Sequence, residues 1–211
     1  MVLAIAGCTS VSPTPSPSPT PTPPTTPTPT LPPSPTPSIA PSPTPPVAFL
    51  DGTHRVPQDI APGTYRTTSY TTDCYWTRLR GFESGLEDII ASRIGSGYQV
   101  VTIGRRDAGF DSVSCGEWTA GLSPVTETRD EFGEGTYIVG MDIAAGRFMA
   151  SDGTACDWAR LSGFGGTRRQ VIDRDSVDSD DPPTVEIEPT DAGFTSSGCG
   201  TWLALDSAAD N

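Results

Sequence analysis

The residues best able to do chemistry are cysteines, tryptophans and arginines in a fixed pattern. The pattern Cys-x-Trp-x-Arg occurs twice, at residues 74–78 and 156–160. Because side chains alternate across a strand, this spacing places all three on one strand face. We expect the tryptophan to pack against a disulfide, and the arginine to stack on an aromatic ring or to pair with Asp107 or Asp191. The alternative is a repeated ligand platform, formed by Trp76, Arg78, Trp118, Trp158, Arg160 and Trp202.

Five cysteines leave one unpaired if the other four form disulfides. Four cysteines allow three connectivities, and the repeat described below favours Cys74 with Cys115 and Cys156 with Cys199. Each bridge then lies inside one repeat and stabilises it by about 4 kcal/mol through loop entropy. Metal binding is the rival interpretation. It is disfavoured because the sequence contains no CxxC and a single histidine, His54.

The fifth cysteine, Cys8, ends the run Leu-Ala-Ile-Ala-Gly-Cys, which looks like a bacterial lipobox. The residues before it lack the positive n-region and the full apolar run of a signal peptide, so we expect more signal sequence upstream of Met1. We predict a truncated signal peptide over residues 1–8 and a lipid-modified Cys8. Two or three acyl chains would hold the chain firmly on the outer face of a cell membrane. The alternative is an incidental thiol in a disordered tail.

Composition separates the chain into a low-complexity part and a globular part. Residues 9–46 are almost entirely Pro, Thr and Ser, which predicts a disordered, semi-rigid stalk that spans roughly 110 Å. The chain has no lysine and a formal net charge of −13, which disfavours nucleic acid as a partner. No segment approaches the roughly 20 consecutive apolar residues of a membrane-spanning helix.

An internal repeat covers nearly everything after the stalk. Asp-Ile-Ala-Pro-Gly-Thr-Tyr at 59–65 recurs as Asp-Ile-Ala-Ala-Gly-Arg-Phe at 142–148. Alternation such as Val-Glu-Ile-Glu at 185–188 is typical of antiparallel strands with one wet face. We predict an all-β chain with two tandem antiparallel sandwich-like or barrel-like modules, each with one disulfide. Their bounds are 47–120 and 130–205, with a linker at 121–129, a tail at 206–211 and hairpin turns at 61–63 and 144–146.

An acidic stretch interrupts the second repeat just before Pro182. Closely spaced carboxylates can hold calcium, which makes Asp173, Asp175 and Asp178 weak candidates. The stretch lacks the central glycine and final glutamate of an EF-hand, so a solvated acidic loop is the preferred interpretation. We predict no cofactor.

The first repeat also carries a resemblance to known proteins. Its elements are Asp-Ile-Ala-Pro-Gly-Thr-Tyr at 59–65, Cys-Tyr-Trp-Thr-Arg-Leu at 74–79, and Gly-Phe at 109–110 followed by Cys-Gly-Glu-Trp at 115–118. Together they resemble repeats of actinobacterial secreted proteins and lipoproteins of unassigned function. The resemblance implies export and a small β-rich module, and it carries no catalytic residues across.

These observations favour a protein without catalytic activity, because no GxSxG, SxxK, HExxH, Walker or Rossmann signature is present. We expect a cell-envelope binding module whose partner is a cell-wall glycan or a surface protein, with the oligomeric state left open. A structural spacer or shield without a ligand is one alternative, and an envelope hydrolase or its accessory domain is another. A glycan binder needs exposed aromatics, for which Tyr70, Tyr75 and Tyr98 are the candidates.

Overall fold

The computed structural model describes residues 48–83 and 85–205. The predicted signal peptide with Cys8, the stalk at 9–46 and the tail at 206–211 lie outside the described residues. Within the described part, no helix is long and apolar enough to cross a bilayer.

The first repeat contains six strands that pair in antiparallel fashion: β1 (Ala48–Arg55), β2 (Gly63–Thr67), β3 (Thr71–Leu79), β4 (Ile89–Gly97), β5 (Val100–Ile103) and β6 (Gly109–Thr119). Their order in the sheet is β4-β3-β6-β2-β5, with β1 also paired to β6. The first half of β6 pairs with β3 and its second half with β2, while β1 follows both halves. The repeat therefore consists of two half-sheets that share β6 and β1.

The second repeat has the same topology in eight shorter strands: β7 (Glu131–Phe132), β8 (Gly135–Ile138), β9 (Gly146–Ala150), β10 (Cys156–Leu161), β11 (Val171–Val177), β12 (Thr184–Ile187), β13 (Gly193–Ser197) and β14 (Trp202–Ala204). They form two sheets, β11-β10-β13-β8 and β12-β9-β14-β7. Here β7 and β8 correspond to β1, and β13 and β14 correspond to β6. The break after β7 falls where the register of β1 shifts at Asp51.

Each repeat has its own apolar core around one disulfide. Cys74 bonds Cys115 with an S–S distance of 2.00 Å, and Cys156 bonds Cys199 at 2.02 Å. In β12 the side chains alternate between exposed and buried as the sequence predicts. The prediction of two tandem all-β modules with one disulfide each is confirmed.

Two local predictions are wrong. Residues 61–63 and 144–146 do not form hairpin turns, because β2 pairs with β5 and β6, and β9 pairs with β12 and β14. These segments instead carry the chain from one half-sheet to the other. The acidic stretch is also not entirely a loop, since Asp173 and Asp175 belong to the edge strand β11.

Each repeat is closed along one side and open along the other. The closed side is where β1 and β6, or their counterparts, run through both half-sheets. The open side is the gap between the edge strands, β4 and β5 in the first repeat and β11 and β12 in the second. Both repeats belong to one compact unit.

Candidate binding surface

The repeated tryptophans of the Cys-x-Trp-x-Arg pattern lie in the two cores. Trp76 is 1% exposed and stacks on Phe110 at 6.3 Å between ring centroids, and Trp158 stacks on Phe194 at 6.2 Å. Burial of this kind follows from the alternation of side chains along β3 and β10. The structure places both indoles inside the sandwich and not on a surface.

Both arginines of the pattern form two-pronged ion pairs. Nε of Arg78 lies 2.7 Å from Asp107, and Nε of Arg160 lies 2.7 Å from Asp191. In each repeat a backbone N–H, of Gly104 or of the equivalent Glu188, donates to the same carboxylate. The hydrogen bond to Asp191 raises the pKa of the Arg160 guanidinium above its ordinary value, and burial opposes this rise. Each arginine therefore ties its strand, β3 or β10, to the turn that carries Asp107 or Asp191.

The other two tryptophans of the proposed platform are also buried. The indole N–H of Trp118 donates to Oγ of Ser112 at 3.1 Å, and that of Trp202 donates to Oγ of Ser196 at 3.0 Å. Neither indole is exposed to solvent. The shared tryptophan positions are thus used by the cores of the two repeats.

Asp51 is a structural residue that the sequence reasoning missed. Its carboxylate accepts hydrogen bonds from the N–H groups of Cys115 and Gly116 at 2.9 and 2.8 Å, and from the Ser112 hydroxyl at 2.8 Å. Glu134 occupies the equivalent position and accepts from Gly198 N–H at 2.8 Å. The available signal was an acidic residue at the same place in both repeats.

A buried ion pair joins the two repeats. Arg66 on β2 donates to both carboxylate oxygens of Asp142, at 3.0 and 2.6 Å, and the two side chains are 2% and 0% exposed. Asp142 also accepts from the N–H groups of Val125 and Ile138. The second repeat has Met149 at the position of Arg66. Because the second repeat has no arginine at this position, the repeat pattern does not predict this contact.

Arg93 on β4 makes a second contact between the repeats. Its guanidinium donates to the Thr195 hydroxyl, and burial lowers the pKa of Arg93. Nearby, the backbone N–H of Thr136 donates to the Tyr98 carbonyl at 2.6 Å. The second repeat therefore lies directly against the open side of the first.

A loop of the second repeat, residues 163–167, fills the open side of the first. The Thr102 N–H donates to the Phe164 carbonyl at 2.8 Å, and Nη1 of Arg78 donates to the Gly165 carbonyl at 2.5 Å. Gly166 lies against Trp76 so closely that an added Cβ would be 2.5 Å from the ring. We call residues 163–167 the plug loop.

The outer face of the β4-β3-β6 half-sheet shows the sharpest contrast between the repeats. Tyr75 lies between its cross-strand neighbours Ile94 and Val113, and the three side chains are 37%, 67% and 55% exposed. Outer faces of antiparallel sheets are normally polar. The same three positions of the second repeat hold Asp157, Ser176 and Ser197. Adjacent exposed apolar side chains of this kind make this face a candidate for an interaction surface.

Tyr75 also lines a groove of about 330 Å³. Its apolar wall includes Phe82, Leu86 and Ile89, and its polar wall includes Asp88 and Asp111. Leu86 is 86% exposed. The groove and the side chains of Tyr75, Ile94 and Val113 together form what we call the copy-one outer face.

The three tyrosines proposed as glycan contacts do not gather at one site. The rings of Tyr70 and Tyr98 meet edge to face at 6.3 Å, and Tyr70 is 53% exposed beside a groove of about 360 Å³. The same groove is lined by Tyr137, whose pKa is raised above its ordinary value mainly by burial. Tyr75 lies on the copy-one outer face instead.

The calcium candidates Asp173 and Asp175 are exposed on β11, and Asp178 follows that strand. Across residues 48–83 and 85–205, no three His, Cys, Asp or Glu side chains are close enough to hold one metal ion.

Comparison with known proteins gives one match. A family model described as the Rv1352-like extracellular domain matches twice, over residues 47–119 and 130–203, which is more than half of the chain. No curated protein matches, and no solved structure matches.

Proposed function

The chain belongs to the Rv1352-like extracellular domain family, and from that premise we propose that it is a non-catalytic protein-binding module of the cell surface. In this proposal Cys8 carries the lipid that anchors the chain to the outer face of the membrane. The stalk at 9–46 then lifts the paired repeats away from the bilayer, and the partner is a protein of the cell envelope.

The observation that carries the proposal is the apolar character of the copy-one outer face. Ile94 and Val113 are more than half exposed, whereas the same positions of the second repeat hold the polar residues Ser176 and Ser197. Burying the part of such a side chain that is still exposed contributes about 1–2 kcal/mol. A partner gains this energy only at the first repeat.

The side chains favour a protein over a glycan as the partner. Aliphatic residues such as Ile94 and Val113 offer no flat aromatic surface for a sugar ring, whereas they suit the apolar centre of a protein interface. The acidic groups beside the groove, Asp88 and Asp111, complement basic residues at the rim of such an interface.

A cell-wall glycan is the second candidate partner, and it concerns a different surface. Tyr70 is half exposed, meets Tyr98 edge to face, and lines a groove together with Thr126, Thr128 and Glu131. Aromatic rings beside hydroxyl and carboxylate groups suit a polyhydroxylated ligand.

Binding to the native host's cells tests the proposal. The full chain with Cys8→Ser, labelled with a fluorophore, is titrated onto intact cells. We expect saturable binding that falls at least about tenfold in Tyr75→Asp/Ile94→Ser/Val113→Ser, since the loss of about 1.4 kcal/mol is tenfold in affinity. The matched control is Leu50→Ser/Ile172→Ser/Leu203→Ser, which removes three exposed apolar side chains from other positions and leaves binding unchanged.

Enzymatic treatment of the cells separates the two partner classes. Protease treatment of the cell surface abolishes binding if the partner is a protein, and muramidase treatment abolishes it if the partner is a cell-wall glycan. Equal binding by the triple variant and wild type, or binding that survives protease, contradicts the proposal. Unmodified Cys8 in the native protein, measured by intact mass spectrometry, contradicts the lipid anchor alone.

A further inference from the structure

The open side of the second repeat lacks the cover that the first repeat has. In the first repeat, the Thr102 N–H donates a hydrogen bond to the Phe164 carbonyl of the plug loop, and the Arg78 guanidinium donates one to the Gly165 carbonyl. The equivalent donors of the second repeat are Glu186 N–H and Arg160. Among the described residues, β12 pairs through β9 alone, and Arg160 uses Nε and Nη2 on Asp191 while Nη1 donates to no acceptor.

Exposure follows the same pattern. Trp158 is 9% exposed where the covered Trp76 is 1% exposed, and the Arg160 side chain is 15% exposed where Arg78 is 10% exposed. Asp173 is exposed, whereas the equivalent Ala91 is buried. The second repeat thus keeps the groups that hold the plug loop in the first repeat, and both side chains are slightly more exposed than their covered counterparts.

The charge of this open side differs strongly between the repeats. The four positions that flank it are Ala91, Arg93, Thr102 and Gly104 in the first repeat, and Asp173, Asp175, Glu186 and Glu188 in the second. One cation is therefore replaced by four carboxylates, of which Glu186 also pairs with Arg147 at 3.7 Å. A basic segment complements this rim, and an acidic segment is repelled by it.

We propose that the open side of the second repeat is a docking slot for an extended, glycine-rich, basic segment of a partner protein. One backbone carbonyl of the segment accepts a hydrogen bond from Nη1 of Arg160, and another accepts one from the Glu186 N–H. A glycine lies against Trp158 as Gly166 lies against Trp76, and arginine or lysine side chains meet the carboxylates of β11 and β12.

Other loops of this chain fit the slot poorly. The plug loop is already used by the first repeat. Its counterpart in the first repeat begins at Gly81 and carries Glu83, Glu87 and Asp88, which the acidic rim of the slot repels. The slot is separate from the copy-one outer face, so either proposal can fail without the other.

The probe for this slot is a synthetic peptide with the sequence of residues 162–170, Ser-Gly-Phe-Gly-Gly-Thr-Arg-Arg-Gln, capped at both ends. It is titrated into the full ¹⁵N-labelled chain with Cys8→Ser, and the four tryptophan indole N–H resonances are followed. We expect a saturable shift at Trp158 with a Kd of about 0.1–1 mM, because a short segment loses much of its freedom on binding. Trp76 stays unshifted.

Two matched controls give the test its specificity. A peptide with valine at the position of Gly166 has the same charge, and we expect it not to bind because its side chain meets the Trp158 ring. In the protein, Asp173→Asn/Asp175→Asn weakens binding about fivefold, while Asp178→Asn/Asp180→Asn leaves it unchanged. No saturable shift at Trp158, equal binding of the valine peptide, or equal binding by the two asparagine variants overturns the proposal.

Discussion

Left-handed backbone conformations flank the disulfides at equivalent positions of both repeats. Ser114 precedes Cys115 with φ of +59°, and Gly198 precedes Cys199 with φ of +73°. An L-residue with a side chain is disfavoured in this region by about 1–2 kcal/mol. The second repeat uses the residue type that this turn prefers, and the first does not.

Replacing Ser114 with glycine is therefore expected to stabilise the protein. The gain is about 0.5 kcal/mol, because relief of the left-handed conformation exceeds the extra entropy of the unfolded chain. Urea denaturation measures it. Gly198→Ser is the reciprocal change and destabilises, since its Cβ would lie 2.2 Å from the Ala155 carbonyl. A less stable Ser114→Gly variant would contradict this account of the turn.

The ion pair between the repeats predicts a large single-residue effect. Arg66→Met installs the residue of the second repeat and leaves the buried Asp142 carboxylate without its cation. The expected loss in the free energy of unfolding is about 3–5 kcal/mol. Arg147→Met is the control, because Arg147 and Glu186 are both about half exposed at 3.7 Å and their pair contributes less than about 1 kcal/mol. Similar losses in the two variants would show that the buried pair does not hold the repeats together.

Residues in the repeated pattern were predictable, and unrepeated ones were not. Two copies of Cys-x-Trp-x-Arg indicate a structural role, and the pairing of Arg78 with Asp107 is one of the two contacts that the sequence predicts for this arginine. Tyr75 was named as an exposed aromatic, but its neighbours Ile94 and Val113 were not. Their adjacency depends on which strands pair, and no local signal in the sequence carries that information.

Among the elements, the alternation of side chains along a strand could be predicted from the sequence, but the pairing of strands could not. The period of two in β12 predicted its buried face correctly. The hairpins at 61–63 and 144–146 were predicted from turn residues, which indicate that the chain bends but not which strands it brings together. The sequence predicts an acidic loop where the structure has strand β11. An edge strand with few buried side chains does not need alternating apolar residues, so the sequence shows no strand pattern there.

The packing of the plug loop against the first repeat can be tested with a single substitution. Gly166→Val forces a side chain against Trp76 at a position with φ of +72°, so we expect the loop to lift from the open side. The Thr102 N–H then loses its acceptor, and its amide hydrogen exchanges at least about tenfold faster.

Gly133→Ala is the control for this variant, because nothing lies within 4 Å of the added Cβ. Unchanged protection of the Thr102 amide in Gly166→Val would mean that the loop does not depend on glycine at this position.

The two repeats of the molecule form one compact unit although each has a separate core. The Arg66 pair, the Arg93 contact and the plug loop all cross between them. We expect a single thermal unfolding transition in the wild type and two transitions in Arg66→Met/Gly166→Val, measured by calorimetry. Two transitions in the wild type would show that the repeats unfold independently.

The central claim is that an extracellular protein binds the copy-one outer face. Photo-crosslinking in the native host is the decisive experiment, with a photoreactive amino acid placed at Ile94 of the full-length chain and, as the control, at the exposed Leu203 of the second repeat. We expect a discrete cross-linked product with an envelope protein from position 94 and none from position 203. No product at position 94, or the same product from both positions, would contradict it.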